Sequence, residues 1–421
     1  MGAEPWIGFC HLRAQTPERE RWIGDRPEAV RWLMLAASSP QDYAAGMRRA
    51  LGRMGYDLLS VSSAAPADRA EGLGPLTEKV PALLAQVNEA RPVGLGDFAP
   101  PEAAASWRET DWDEVLLDAA GTVWAVVDGV AWPGISGRLA QGDTDHACLY
   151  GTLDPSGRAM APWLVRVQPG SGFAASLRAH PQGDHAFVLL RAEAGLDEMR
   201  GHLRRFTMMH TPHDPDAAVY FRFYDPRVMI DALETLTDSF RDSFTRILDA
   251  IILPLTPACL LPDAARLTGP AIDPLDDSES CRGRLLRWRG PPRAGDGRRG
   301  PSAVSEPEYA ALSARMHQRA VHDLARQLVQ DYGALTSRRR CLTIAGGAAG
   351  DAARFDMGSA AQVAMIARAQ LLFGVDFDNR YPETGHFLND RSLLAWQKKD
   401  RLADWFARMS RAHGLEHKEI A

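Results

Sequence analysis

The residues with the most to offer chemically lie between His202 and Met229, in HLRRFTMMHTPHDPDAAVYFRFYDPRVM. Arg222 sits between Tyr220 and Tyr224. Strand alternation puts these three on one face and Phe221 and Phe223 on the other. A guanidinium between two phenol rings can stack on them and pair with a carboxylate. Two outcomes are open: an arginine fork that ties a strand–helix corner, or a site that grips a partner. Upstream, LDEMRGHLRRF (196–206) reads as a helix with Leu196, Met199 and Leu203 on one face. Arg200, Arg204 and Arg205 lie off that face, where charges are either solvated or dock an acidic partner.

Covalent and metal chemistry find little support. His202, His210 and His213 are close in sequence, and His317 and His322 share a helical stretch, but neither set has HExxH spacing. GGAAGD (346–351) lacks the Lys-Ser/Thr of a phosphate loop and the GxGxxG order. GSGFAAS (170–176) lacks the GxSxG elbow. The acid pairs Asp143 and Asp145, Asp214 and Asp216, and Asp276 and Asp277 stand in turn sequences, where Asp bonds locally. Asp376, Asp378 and Asn379 are not followed by the ligands and turn glycine of a cation loop. Nothing assembles a nucleophile, base and orienter. The expectation is a non-enzymatic protein with no cofactor and no metal.

The elements that must position Arg222 read as strand, turn, strand, helix. FTMMH alternates. TPHDPDA is a turn cluster. AVYFRFY is a dense β-former run. Asp225 before Pro226 is an N-cap followed by Pro at N1, since the carboxylate takes orphan N–H groups and Pro has none to lose. Val228, Leu233 and Leu236 give the helix its apolar stripe.

HLRRF, the acid-rich turn and YFRFYDPRVM together resemble the signature of the adaptor-chaperone domain of bacterial type VI secretion systems. VWAVVDGV (123–130), CLYGTL (148–153) and APWLVRV (161–167) resemble its earlier blocks in the same order, so the resemblance covers about 122 to 250. The family usually carries Trp-Gly in the strand before HLRR. Here His185-Ala186-Phe187-Val188 stands instead. The resemblance implies an adaptor that binds a cognate toxic effector and loads it onto the VgrG spike. Carried over from the motif, the partner-binding residues are Arg204, Arg205, Arg222, Tyr224, Asp225 and Arg227. The alternatives are an immunity-like or scaffold protein that binds the toxin domain, and an enzyme with a fused adaptor-like module.

Composition agrees with a globular protein. The chain has 421 residues, 45% hydrophobic and 24% charged, enough for two or three domains. A net charge of −6 gives no push toward nucleic acid or anionic membrane. Five cysteines without CxxC spacing fit a reducing cytoplasm rather than a disulfide framework. No signal peptide or membrane span is expected, and the location expected is cytoplasmic.

The fold class expected is α+β: an N-terminal α/β sandwich (1–105), a central mixed α/β adaptor domain (115–255), a linker (256–304) and a C-terminal helical domain (305–421). In the first, VRWLMLAA and YDLLSVSS are strands around a helix from Pro40 to Met54, stopped by Gly55. A second helix is read in LTEKVPALLAQVNEA, and RPVGLGDFAPPE closes the domain in turns. PPEAAASWRETDWDEV is a linker or the first helix of the adaptor domain. LTDSFRDSFTRILDAIILPL (236–255) reads as helix. The 256–304 stretch is acidic, then basic and rich in Gly and Pro, with RGRLLRWRG as one strand; the acids compete for its arginines, so nucleic acid is not an expected partner. The last part holds helices at 306–333, 359–375 and 392–414, with a short strand in SRRRCLTIAGG and a loop in RYPETGHFLNDRS.

Overall fold

A computed structural model describes the chain outside residues 1–3, 24–26, 69–79, 89–91, 100–105, 119–120, 151–153, 237, 264, 291–303 and 415–421. Parts of several expected features fall there: the start and end of the LTEKVPALLAQVNEA helix, both ends of the RPVGLGDFAPPE turns, the start of PPEAAASWRETDWDEV, the end of the CLYGTL block, and most of the Gly/Pro-rich run after Arg289. The class is α+β. The chain forms two compact units, Met1–Ala271 with Cys281–Leu312, and Ile272–Ser280 with Ser313–Ala421.

The first unit opens with β1 (Glu4–Ala14), α1 (Pro17–Glu20), β2 (Glu28–Ala37), α2 (Pro40–Met54), β3 (Tyr56–Pro66), α3 (Val80–Leu84) and β4 (Gly94–Ala99). They build an antiparallel sheet in the order β3-β1-β2-β4. Ser39 caps α2, and Gly55 ends it at a φ of 86°, a conformation glycine adopts without strain. Tyr43, Met47, Ala50 and Leu51 of α2 pack on Cys10, Leu12 and Leu33. The expected turns after Arg91 are instead the edge strand β4.

Next come β5 (Ser106–Thr110), α4 (Trp112–Leu117), β6 (Thr122–Asp128), α5 (Ile135–Gln141), β7 (His146–Cys148), α6 (Pro155–Met160), β8 (Pro162–Val167), α7 (Gly172–Ala179), β9 (Phe187–Ala192) and α8 (Leu196–Leu203). After these stand β10 (Met208–Thr211), β11 (Asp214–Tyr220), α9 (Pro226–Thr235), α10 (Asp238–Thr245), β12 (Ala250–Pro254), β13 (Ala265–Arg266) and β14 (Leu285–Arg289). Eight strands form one sheet in the order β13-β5-β14-β12-β9-β6-β8-β7. Val123, Ala125, Val127, Phe187 and Leu189 share a core with Trp112, Val115, Trp132 and Leu177. On the opposite face Trp124, Val126, Val188 and Leu190 are also buried. Burial on both faces is why these strands read as continuous apolar runs rather than alternating ones.

Three expectations change here. AIILP, read as the end of a helix, is the inner strand β12, paired with β9 and β14. Its β-branched pair suits a pleated surface, and β9 partners it only as far as Ile252, so Pro254 removes no bond to β9. SWRET, read as linker or helix, is β5. Within the expected linker over 256–304, RGRLLRWRG is the strand β14, as read from the sequence, but the stretch also supplies β13, and its acidic run belongs to the second unit.

Glu109 of β5 shows why this edge holds. Arg284 Nε donates to it at 2.6 Å, and the backbone N–H groups of Thr268 and Gly269 donate at 2.7 and 2.9 Å. The Arg284 bond leads in lowering its carboxyl from 4.5 to about 2, against burial and with help from both backbone donors. A depressed carboxyl stabilises the fold above its unfolded value and loses that contribution as pH falls through the folded one. The stability gap between wild type and Glu109→Gln in urea titrations is therefore expected to be constant above pH 5 and to shrink toward zero between about 4.5 and 2.

The second unit is helical: most of α11 (Glu306–Tyr332), then α12 (Arg338–Ala353), α13 (Ala360–Phe373), α14 (Phe377–Arg380), α15 (Pro382–Leu388) and α16 (Ala395–Ala412). Ser359 and Gln362 cap α13 reciprocally. The acidic run packs on this unit. Leu275 joins Ala325, Leu328 and Cys341, and Arg338 meets Asp273 and Asp276 at 3.0 and 2.8 Å. Trp405 is buried against Phe373 and Phe377, whereas Trp396 of the same helix is exposed. The expected loop at 380–392 instead holds α15, whose Thr384, Phe387 and Leu388 are buried.

The strand expected in SRRRCLTIAGG is part of α12, capped by Ser337. Cys341, Ile344, Ala345, Ala348 and Ala352 are its buried stripe, at helical spacing. GGAAGD therefore lies inside a helix and forms no phosphate loop. Gly346 has open space where a Cβ would stand, and Gly347 meets only Asp351 Oδ2 at 3.7 Å. Each glycine costs the helix about 0.5–1 kcal/mol relative to alanine. Gly346→Ala and Gly347→Ala are each expected to stabilise this unit by about that amount, measured as a higher denaturant midpoint at unchanged slope.

Candidate functional site: the hairpin–helix corner

The corner is built from β10, β11 and α9, with the end of β6 beneath it. β10 and β11 pair antiparallel, Met208 with Tyr220, around a two-residue turn between Thr211 and Asp214. The strand stops at Tyr220, four residues earlier than the β-former run suggests. Beyond it the chain turns: Phe223 N–H donates to Phe221 O and Asp225 N–H to Arg222 O, each at 2.9 Å. The turn keeps Phe221 and Phe223 on one side, as alternation suggests, and that side is buried. They join Phe206, Phe240 and Phe244 in edge-to-face contacts, Phe206–Phe244 at 5.0 Å and Phe223–Phe244 at 5.4 Å. The same turn separates Tyr224 from Arg222, which alternation had placed together: Tyr224 is buried and Arg222 is not.

Asp225 caps α9 as its position before Pro226 suggests. Its Oδ1 accepts from Arg227 N–H at 3.0 Å, and its Oδ2 from the Arg227 guanidinium at 2.7 Å. Burial raises this carboxyl, but the Arg227 bonds and charge, with the charge of His185, outweigh it and hold it low. Asp225 is 3% exposed and Tyr224 5%, so both face inward rather than toward a partner. Tyr224 shares a hydrogen bond with Tyr150, and burial, then the nearby Tyr150 and Asp128, keep its hydroxyl protonated far above the usual phenol range. Arg205 is tied to the fold as well. Its guanidinium donates to His202 Nδ1 at 2.7 Å, and His202 Nε2 donates to Phe244 O at 2.6 Å. Arg204 is exposed and makes no ion pair among the described residues.

Arg222 pairs with a residue that sequence reasoning did not single out. Asp128, at the end of β6, is 1% exposed and accepts from the Arg222 guanidinium and from Val130 N–H, the latter at 2.8 Å. Burial pulls Arg222 down, and the Asp128 charge and bond more than restore it. VVDG, an apolar run closing on Asp-Gly, was the available signal. Gly129 makes the arrangement possible: a Cβ there would stand 2.4 Å from Ala159 O and 2.7 Å from Ala161 O. No other residue lets β6 end so close to the α6–β8 turn.

Around this pair the surface is apolar and aromatic. Tyr220 is 70% exposed, Val130 60% and Met160 59%; Val219 is exposed on the other face of the hairpin. The Tyr220 ring lies 6.0 Å from that of Tyr150. Tyr150 in turn lines a cavity of about 560 Å³ with Ser136, His146, Cys148, Arg158, Trp163 and Arg200. Exposed aromatic and apolar side chains beside an anchored arginine are the composition of a protein–protein contact. Among the described residues no three His, Cys, Asp or Glu gather as a metal site, and no helix is long and apolar enough to cross a membrane.

Neither the curated proteins nor the solved structures contain a match to the chain. The stretch 123–243, from β6 into α10 and including the whole corner, matches the family described as Domain of unknown function (DUF4123).

Proposed function

We propose that this chain is a type VI secretion adaptor: in the cytoplasm it binds a cognate toxic effector, then delivers it to the VgrG spike. The observation that carries the reading is one coincidence. The family match over 123–243 spans the YFRFYDPRVM motif, whose resemblance to effector-loading adaptor domains rests on different grounds from the surface it borders. Val130, Met160 and Tyr220 supply apolar area for a partner, and Arg222 supplies charge among them. An interface of ordinary size needs about 800 Å² from each side, so this patch would be its centre and not its whole. The work of such an adaptor is recognition and release, with no bond made or broken. Release requires effector–spike contacts to exceed adaptor–effector contacts, which favours moderate affinity. The test is reconstitution from purified chain, effector and spike, sized by light scattering. A binary complex with the effector that becomes ternary with the spike is expected. An effector whose toxic activity is blocked in the binary complex would favour an immunity role instead.

A further inference from the structure

The cavity beside β7 has its own chemistry. β7 is the outermost strand of the large sheet, after β8. Arg166 N–H donates to Asp145 O, and Leu149 N–H to Pro162 O. Residues 145, 147 and 149 therefore face β8, while His146 and Cys148 present their N–H and C=O outward. Arg200 Nε donates to the Cys148 carbonyl at 2.9 Å, which fixes the Arg200 side chain on the rim. The backbone N–H and C=O of His146 have no partner among the described residues. Arg158, Arg200 and His146 line the cavity together with Tyr150 and Trp163, and no Asp or Glu is in that lining. Neither arginine is paired with a carboxylate among the described residues. The Trp163 ring stands 5.7 Å from that of His146, and its Nε1 donates to Arg158 O at 3.1 Å, so the aromatic wall is fixed in place.

We infer that this cleft captures an extended peptide segment bearing one acidic side chain. The segment adds to the open edge at His146, its carboxylate meets Arg158 and Arg200, and a neighbouring apolar side chain lies on Trp163 and Tyr150. Main-chain bonds at a strand edge supply direction, and a carboxylate between two arginines supplies selectivity. Only one residue of β7 has an uncommitted outward pair, so the edge alone holds a strand weakly and the acid is required. A free anion would meet the arginines but leave the His146 pair and the aromatic wall unused. The inference rests on the adaptor reading only for whose segment this is.

The experiment is selection of a displayed random octapeptide library on the full chain, followed by fluorescence anisotropy with the enriched peptide. The expected winners carry one Asp or Glu among β-branched or aromatic residues. Replacing that acid by its amide is expected to weaken binding at least tenfold, as is Arg158→Gln, a change at an exposed side chain. The open edge is tested at the backbone N–H of His146. His146→Pro, which removes that N–H without touching a bond to β8, should lose at least tenfold, with circular dichroism confirming the fold. No enrichment, winners without an acid, or binding unchanged in Arg158→Gln would each overturn the inference. None of these results bears on the reconstitution with effector and spike, so the two readings fail separately.

Discussion

Arg191→Met is expected to destabilise the unit that carries the large sheet by about 3–5 kcal/mol, the usual cost of breaking a buried charged network from one side. Arg191 lies on β9, between Val123 of β6 and Ala250 of β12, and is 1% exposed. Its guanidinium donates to Val115 O at 2.6 Å and Asp118 O at 2.7 Å, with the Asp118 carboxylate 3.6 Å away. These carbonyls belong to the end of α4, where a helix leaves carbonyls without partners and favours a positive charge. One side chain therefore caps α4 and locks it to the centre of the sheet. Methionine preserves the aliphatic stem but leaves the carbonyls dry. Arg191→Lys, with a single donor head in place of a fork, is expected to recover only part of the loss. Urea denaturation followed by tryptophan fluorescence measures both. A loss below about 1 kcal/mol for Arg191→Met would mean that water or a neighbour caps α4 instead.

The second large effect separates binding from stability at the corner. Tyr220→Ala is expected to weaken effector binding about 30- to 300-fold, the range for an aromatic hot spot, with the melting temperature unchanged because the ring is 70% exposed. Arg222→Met is expected to do the reverse of what its exposure suggests. It strands the Asp128 carboxylate in the interior with only Val130 N–H as donor, and the fold should lose about 3 kcal/mol. A charge reversal at Arg205 would likewise test the His202–Phe244 tie rather than the partner. Arg204, without an ion pair among the described residues, is the clean position for that experiment. If Tyr220→Ala melts early, or binds the effector like wild type, the patch is not the contact surface.

Much of this corner was legible in the sequence because its determinants are local. Asp225-Pro226 fixes a helix start by its own atoms, and alternation placed Phe221 and Phe223 together, on the face away from Arg222. What was not legible depends on distant partners. Nothing near Arg222 names Asp128, which lies 94 positions away. Tyr224 turned inward because a turn at 221–225 ended the alternation that had placed it beside Arg222. Larger errors share one cause. AIILP, SWRET and SRRRCLTIAGG are short stretches whose period cannot separate helix from strand. β12 and β5 become strands because β9 and β14 stand beside them. The glycines at 346, 347 and 350 fall on the exposed side of a helix whose alanine face is buried. Arg191 within FVLLRA was the missed signal of a structural arginine.

The central claim is that the chain carries an effector to the spike, and reconstitution tests it most directly. The purified chain is mixed with its candidate effector, then with VgrG, and masses are read by light scattering after size exclusion. The account predicts a stable chain–effector complex that gains the spike as a third component, with the effector's toxic activity intact. A chain that elutes alone with both partners present would contradict it.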